Sequence, residues 1–151
     1  MNRKPEGGII MYIKQLTVFL ENRTGRLGEV LGVLKNSDVN IVSMSLADTS
    51  DFGLLRLLVD KPQTGKEALQ KEGFSAMLTD VLGVRLSHKV GKLQELLEVI
   101  CQSDINVEYM YALSTGTEDA SVVIKTSELD KAAELLGKTA VELVSPSEIE
   151  A

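Results

Sequence analysis

The sequence predicts an α+β fold, a ferredoxin-like βαββαβ sandwich built twice in tandem, with antiparallel sheets carrying helices on one face. Three observations lead there. A strand-like run, Leu16-Thr17-Val18-Phe19-Leu20, stops at Asn22-Arg23-Thr24-Gly25-Arg26-Leu27. Beyond that turn Leu27, Val30, Leu31 and Leu34 recur with the spacing of one helix face. The whole stretch then returns 66 positions later as His88-Lys89-Val90-Gly91-Lys92-Leu93, with Gly25 on Gly91, Glu29 on Glu95 and Leu31 on Leu97. The match continues ungapped through Ser37-Asp38-Val39-Asn40-Ile41 and Ser103-Asp104-Ile105-Asn106-Val107, which marks an internal duplication.

The elements follow in order. Residues 1–11 read as a polar leader whose Ile9-Ile10-Met11 is too short for a signal-peptide core, with Met11 an alternative start. The first domain is expected over 12–79 and the second over 80–145, with a tail at 146–151. Tyr12 to Leu20 is the first strand, and the first helix runs from Gly25 to Ser37, stopped by Asp38 and Asn40. Ile41 to Ala47 forms a second strand, and the Asp48-Thr49-Ser50-Asp51 turn leads into a third, Phe52 to Val59. That third strand is almost continuously apolar, the pattern of a strand buried on both faces. Pro62 and Thr64 open a helix ending near Gly73, and Phe74 to Thr79 runs into Val81 to Leu86 with no flexible linker. The second half repeats this with a helix from Gly91 to Ser103 and strands over Val107–Leu113 and Ala120–Lys125, joined around Ser114-Thr115-Gly116-Thr117. Ser127 is expected to cap a helix with Glu128 and Asp130 in its first turn. Ala140 to Val144 is the last strand, and residues 145–151 are expected to fray.

Composition narrows the function. A net charge of −6 offers no basic stripe for nucleic acid or an anionic membrane, so neither is expected as a partner. No run is apolar and long enough to span a bilayer. The single cysteine, Cys101, forms no intrachain disulfide and fits a reducing, cytoplasmic setting. With one histidine, His88, neither a duplicated histidine triad nor a His/Cys metal cluster is available, and Gly65-Lys66 lacks the preceding glycine of a phosphate loop. An enzyme is not expected, nor a metal or a cofactor. A helix that starts on a glycine turn instead presents unpaired backbone N–H groups and its positive dipole end to an anion. Glycine there lets a ligand approach the backbone.

The ordered pattern Asn-Arg-x-Gly-x-Leu after a strand, followed by a helix and Asp-Val-Asn-Ile, resembles the ACT domain, in two tandem copies from about residue 12. That resemblance implies an amino-acid-binding regulatory protein of amino-acid metabolism, with its ligand at the junction of two modules. Carried onto this chain, it implies ligand contacts from Leu20, Asn22, Arg23, Thr24, Gly25, Arg26, Leu27 and Asn40, and from His88, Val90, Gly91, Lys92, Leu93 and Asn106. It also implies side-by-side pairing of the second strands, Ile41–Ala47 with Val107–Leu113. Met44, Ser43 and Ser45, with Tyr109 and Tyr111, are further candidates for the lining. The chain departs from the serine-binding pattern: Leu20 and Leu86 stand where that pattern has histidine, Thr24 and Val90 where it has proline, and His88 replaces the second loop asparagine. Serine loses favour accordingly, and the two sites are not equivalent. The expected partners are a small amino acid or related acid, a second copy in a homodimer, and a metabolic enzyme. Two alternatives stand beside the sensor: a regulatory subunit like the small subunit of acetolactate synthase, and a structural module with no ligand.

Overall fold

A computed structural model describes residues 12–21, 23–48, 51–87, 89–114 and 120–150. The elements run β1 (Ile13–Glu21), α1 (Arg26–Asn36), β2 (Ile41–Asp48), β3 (Phe52–Val59), α2 (Pro62–Lys71) and β4 (Ser75–Leu86). They continue with α3 (Lys92–Cys101), β5 (Val107–Leu113), β6 (Ala120–Thr126), α4 (Leu129–Gly137), β7 (Glu142–Val144) and α5 (Pro146–Glu150). The duplicated β-α-β-β-α-β order is therefore present, and an α+β sandwich forms in each half.

Two compact units arise, one built on Lys14–Thr79 and the other on Asp80–Glu148 together with Tyr12 and Ile13. β4 contributes to both, its first residues to the N-terminal unit and its remainder to the C-terminal one. In the N-terminal unit the strand order is β2-β3-β1-β4. Leu16 faces Leu57, and Met44 also faces Leu57 from the other side, all antiparallel. Alternation along β1 turns Leu16, Val18 and Leu20 toward α1 and α2, where they pack with Val30, Leu34, Leu69 and Phe74. Phe19, on the opposite face, is exposed, while Ile13, Gln15 and Thr17 are buried. In β3, Leu55, Leu57 and Val59 join the core and Leu58 is also fully buried, as a two-sided strand requires, but Leu54 and Arg56 are only half-buried.

The C-terminal unit has the order β5-β6-β4-β7. Its core gathers Leu82, Val84, Leu96, Ile100, Ile124, Ala132, Ala133 and Leu136. Val144 of β7 lies beside Gly83 of β4, and Ile13 also reaches that glycine. β2 and β5 each end the strand order of their own unit, bonded to β3 and β6 respectively.

The two copies share backbone irregularities that only a common ancestor pattern explains economically. Gly25 (φ 89°) and Gly91 (φ 86°) are both left-handed at the helix starts, and Asp38 (φ 57°) and Asp104 (φ 61°) are left-handed just after the helix ends. Aspartate is among the few non-glycine residues that tolerate this region. The spacing between copies changes once. Met44 opposes Leu57 and Met110 opposes Ile124, 66 residues apart on the first strand and 67 on its partner. The shift persists into the second helices, where Gly65 N–H donates to Lys61 C=O and Ala132 N–H to Glu128 C=O. It persists at their ends, where Glu72 N–H donates to Leu69 C=O and Thr139 N–H to Leu136 C=O. From β6 to Thr139 the second copy thus corresponds to residues 67 positions earlier; the backbones then part, Gly73 being left-handed with Phe74 N–H on Leu69 C=O, whereas Val141 N–H meets Thr139 Oγ1.

Three expectations need correction. Ser127 does not cap α4: Glu128 holds the N-cap position without a side-chain cap, and Ser127 Oγ instead accepts from Asn106 N–H at 3.1 Å. The last strand is shorter than expected because Thr139 ties its start down, donating to Leu136 C=O at 2.6 Å and accepting from Val141 N–H at 3.2 Å. Residues 146–150 form a helix instead of fraying, with Ile149 buried. Ser145-Pro146-Ser147-Glu148 begins it as a capping box would, Glu148 accepting from Ser145 N–H at 2.9 Å and proline standing at the first helical position. The leader at 1–11, Thr49 and Ser50 of the first hairpin, and Thr115, Gly116 and Thr117 of the second lie outside the described residues.

Candidate functional site

Each candidate loop is positioned by the strand before it and the helix after it. In the N-terminal unit Arg23 N–H returns to Glu21 C=O at 2.8 Å, and in the C-terminal unit Lys89 N–H returns to Ser87 C=O at the same distance. Helix α1 then begins with Glu29 N–H on Gly25 C=O, and α3 with Glu95 N–H on Gly91 C=O, both at 3.0 Å. Neither glycine brings a side-chain cap, and no atom lies within 4 Å of where a Cβ would stand on either. The positive φ explains the glycine itself, because other residues are strained there. Two helix starts with uncapped backbone donors and open space beside them are what an anionic group needs.

The side chains around the two loops differ. Arg23 and Thr24 are exposed, and Arg23 Nε lies 3.2 Å from Glu21 Oε2. Arg26 is mostly buried, holds Glu29 at 2.6 Å, and lies with its guanidinium 4.3 Å over the Phe74 ring. Both arginines are therefore engaged by carboxylates of the same unit. Leu20 and Leu27 belong to the core and its margin, which anchors the loop from beneath. At the second loop Val90 is fully exposed, Leu93 is exposed, and Lys92 Nζ sits 3.1 Å from Glu95 Oε2. A hollow of about 520 Å³ opens here, lined by Leu86, Ser87, Lys89, Val90, Lys92, Leu93, Ala120 and Val122. Asn22 and His88 lie outside the described residues.

The second asparagines stand elsewhere in their units. Asn40 N–H donates to Asp60 Oδ1 at 2.8 Å while its carbonyl accepts from Asp60 N–H, and Asn106 does the same with Ser127. Asn40 lines a hollow of about 360 Å³ with Leu31, Lys35, Asp38 and Val39, at the C-terminal end of α1. The Gly25 loop is at the other end of that helix, so neither unit brings its own loop and its own asparagine together. Of the further candidates, Met44 is exposed and Ser43, Ser45, Tyr109 and Tyr111 are half-buried along β2 and β5. Among the described residues no group of three His, Cys, Asp or Glu side chains is placed to hold a metal ion. Among the described residues no helix is long and apolar enough to cross a membrane.

Reasoning from sequence missed a group beside the second loop. Arg85 ion-pairs with Glu142 at 3.0 Å and with Glu148 at 2.5 Å, and these hydrogen bonds, Glu148 first, hold its guanidinium pKa above the ordinary value against the opposing effect of burial. Their separation in sequence hid the link. The only available clue was the capping-box spelling that places Glu148 on a helix.

With this geometry in view, comparison with known proteins gives a consistent answer. The chain matches the ACT domain pair family over residues 11–150 and belongs to it. No curated protein matches. A crystal structure of a protein from Bacteroides thetaiotaomicron is 35% identical, covering 93% of this chain and 96% of that one, with a TM-score of 0.86. The ligand-free regulatory subunit of aspartate kinase from Thermus thermophilus shares the fold at 16% identity and TM-score 0.59, covering 83% and 91% of the two chains. The corresponding subunit from Thermus flavus is similar, at 18% identity and TM-score 0.59 over 85% and 91%.

Proposed function

We propose that this chain is a non-catalytic regulatory sensor that binds an amino acid, or a closely related acid, at its glycine loops. The observation that supports this reading is the duplicated helix start. Gly25 and Gly91 are both left-handed, both lack a side-chain cap, and both leave the space beside the backbone open. Backbone donors there receive the ligand carboxylate, and Asn22 in one copy and His88 in the other supply a polar partner. Asn40 or Asn106 of a neighbouring module completes each site, since no unit supplies its own. The protein acts in the cytoplasm as a homodimer, with β2 and β5 as the edge strands available for pairing between copies. Binding biases a partner enzyme of amino-acid metabolism to the extent that the ligand prefers one state over the other.

A thermal-shift screen of the purified chain against the twenty amino acids and a few aryl and branched keto acids tests this. A ligand at a hundred times its Kd adds about 2.7 kcal/mol, a shift of several degrees. One or two chemically related hits that vanish in Asn22→Ala support the sensor. A flat screen at millimolar concentration, or a hit untouched by Asn22→Ala, Asn40→Ala and Asn106→Ala, rejects it.

A further inference from the structure

The C-terminal unit contains a second hollow whose counterpart in the N-terminal unit is filled by the protein itself. It measures about 430 Å³ and lies between α3, the end of α4 and the start of β7, with Leu96, Val99, Leu136 and Val141 among its apolar walls. Arg85, Ser87, Lys92, Glu95 and Thr139 supply polar groups around it. It shares Leu86, Ser87 and Lys92 with the hollow at the second loop, but its other walls come from α3, α4 and β7 instead of β6.

The backbone correspondence between copies shows what the space is. Val141 stands where the first copy has Phe74: each is the residue just before the strand that follows the unit's second helix, Ser75 opening β4 and Glu142 opening β7, and each packs on its own unit's core. Lys92 stands where the first copy has Arg26. In the N-terminal unit the Phe74 ring is 6% exposed, packs with Val30, Val33, Leu34 and Leu69, and carries the Arg26 guanidinium over its face at 4.3 Å. The hollow left beside it is smaller, about 270 Å³, and Glu29, Val30 and Val33 do not line it. In the C-terminal unit the counterparts of those three, Glu95, Leu96 and Val99, line the open cavity. With valine in place of phenylalanine, the second copy lacks the ring but has both the apolar walls and the cation.

We propose that this cavity binds a small molecule carrying one aromatic ring. The ring takes the place that Phe74 occupies in the first copy, against Leu96, Val99 and Leu136. Lys92 supplies a cation for its face, as Arg26 does for Phe74, and Ser87 offers a hydroxyl to a polar substituent. A hollow of this volume is in the size range of small-molecule sites, with apolar side chains from α3 and α4 on one side and the charged Arg85, Lys92, Glu95 and Glu142 at its margin. The site shares Leu86, Ser87 and Lys92 with the second glycine loop, but the inference does not rest on that reading, because a ring needs neither a carboxylate seat nor an asparagine.

The test uses benzyl alcohol, a neutral ring without the carboxylate and ammonium of an amino acid, titrated into the full chain with methyl groups observed by NMR. Ring-current shifts that saturate at Leu96, Val99, Leu136 and Val141 are expected, with the methyls of Val30, Val33 and Leu69 unmoved. Val141→Phe, which rebuilds the first copy's arrangement, abolishes the shifts and raises the melting temperature, whereas Asn22→Ala leaves them intact. Absence of saturable shifts in the unaltered chain overturns the proposal, as does saturation that survives Val141→Phe. Should Val141→Phe not fold, the comparison of the two cores decides, and equal shifts at Val30 and Leu96 overturn it. Failure of the amino-acid screen leaves this outcome unaffected.

Discussion

The N-terminal and C-terminal units use one backbone plan and finish it differently around the helix that follows the glycine loop. In the first, Phe74 and Arg26 close the space between the helices with a stacked ring and cation. In the second, Val141 and Lys92 occupy those positions and the space stays open. The units also differ on the central strand. Thr17 is buried and hydrogen-bonded to Gln15 Nε2 at 3.0 Å and to Thr79 Oγ1 at 3.1 Å, while its counterpart is Gly83, crowded by Ile13 and Val144. Duplication preserved what sets the backbone and released the side chains that fill it. Equivalence of fold therefore does not carry equivalence of site.

The largest effect is expected where the first unit closes itself. Phe74→Ala removes a buried ring and leaves Arg26 over a void, at a cost of about 3–5 kcal/mol. Urea unfolding followed by circular dichroism measures it. Because the second unit tolerates an open space at this place, a loss below about 1 kcal/mol would show that the ring fills the hollow without supporting the core.

Gly83→Ala probes the converse crowding. A Cβ there would stand 2.7 Å from Ile13 Cδ1 and 2.9 Å from Val144 Cβ. The Ile13 contact is with a flexible chain end, but Val144 Cβ is fixed to β7, so the strand must shift. Overpacking of this kind costs about 1–3 kcal/mol, read as a lowered unfolding midpoint. Gly28→Ala on α1, with no atom within 4 Å of the new Cβ, serves as the control and should be neutral or stabilising.

Much of this comparison was legible in the sequence, for physical reasons that can be named. Helix boundaries followed from amphipathic spacing and from Gly25, Gly91, Asp38 and Asp104, whose residue types are those that tolerate the left-handed region. Strand β3 announced the burial of Leu55, Leu57, Leu58 and Val59 through an apolar run broken only by Arg56. The change of spacing from 66 to 67 was not legible, because the second half of the repeat has diverged and only the hydrogen-bond ladder restores its register. Helix α5 carried a readable signal in Ser145 and Glu148 that the expectation of a fraying terminus obscured. Of the candidate site, the loop backbone was legible and the distribution of its partners was not. Asn40 is close in sequence to α1 but stands at the end of that helix remote from Gly25. The cavity beside Val141 was invisible for the same reason as the register: it is defined by a ring that is missing from one copy.

Arg26→Lys makes the first unit chemically like the second without opening it. Lysine keeps the charge near Glu29 but loses the planar stack on Phe74, for which a cost of about 0.5–1 kcal/mol is expected. A double-mutant cycle with Phe74→Leu isolates the pairwise part. A coupling indistinguishable from zero would mean that Arg26 is held by Glu29 and Glu21 alone.

The smallest expected effect separates the units by pH. Tyr12 packs on the C-terminal core and donates its hydroxyl to the Asp130 carboxylate. Burial first, and then Asp130, raises its pKa above the ordinary value of 10.0, because both disfavour a phenolate. The folded state therefore holds this proton more tightly than the unfolded chain does. The resulting stabilisation is complete below pH 10 and is lost as the pH rises toward the folded-state value. Tyr12→Phe lacks this contribution at every pH, so the gap between the two proteins' unfolding midpoints should narrow between pH 8 and pH 11. A constant gap across that range would mean that the hydroxyl contributes through packing alone.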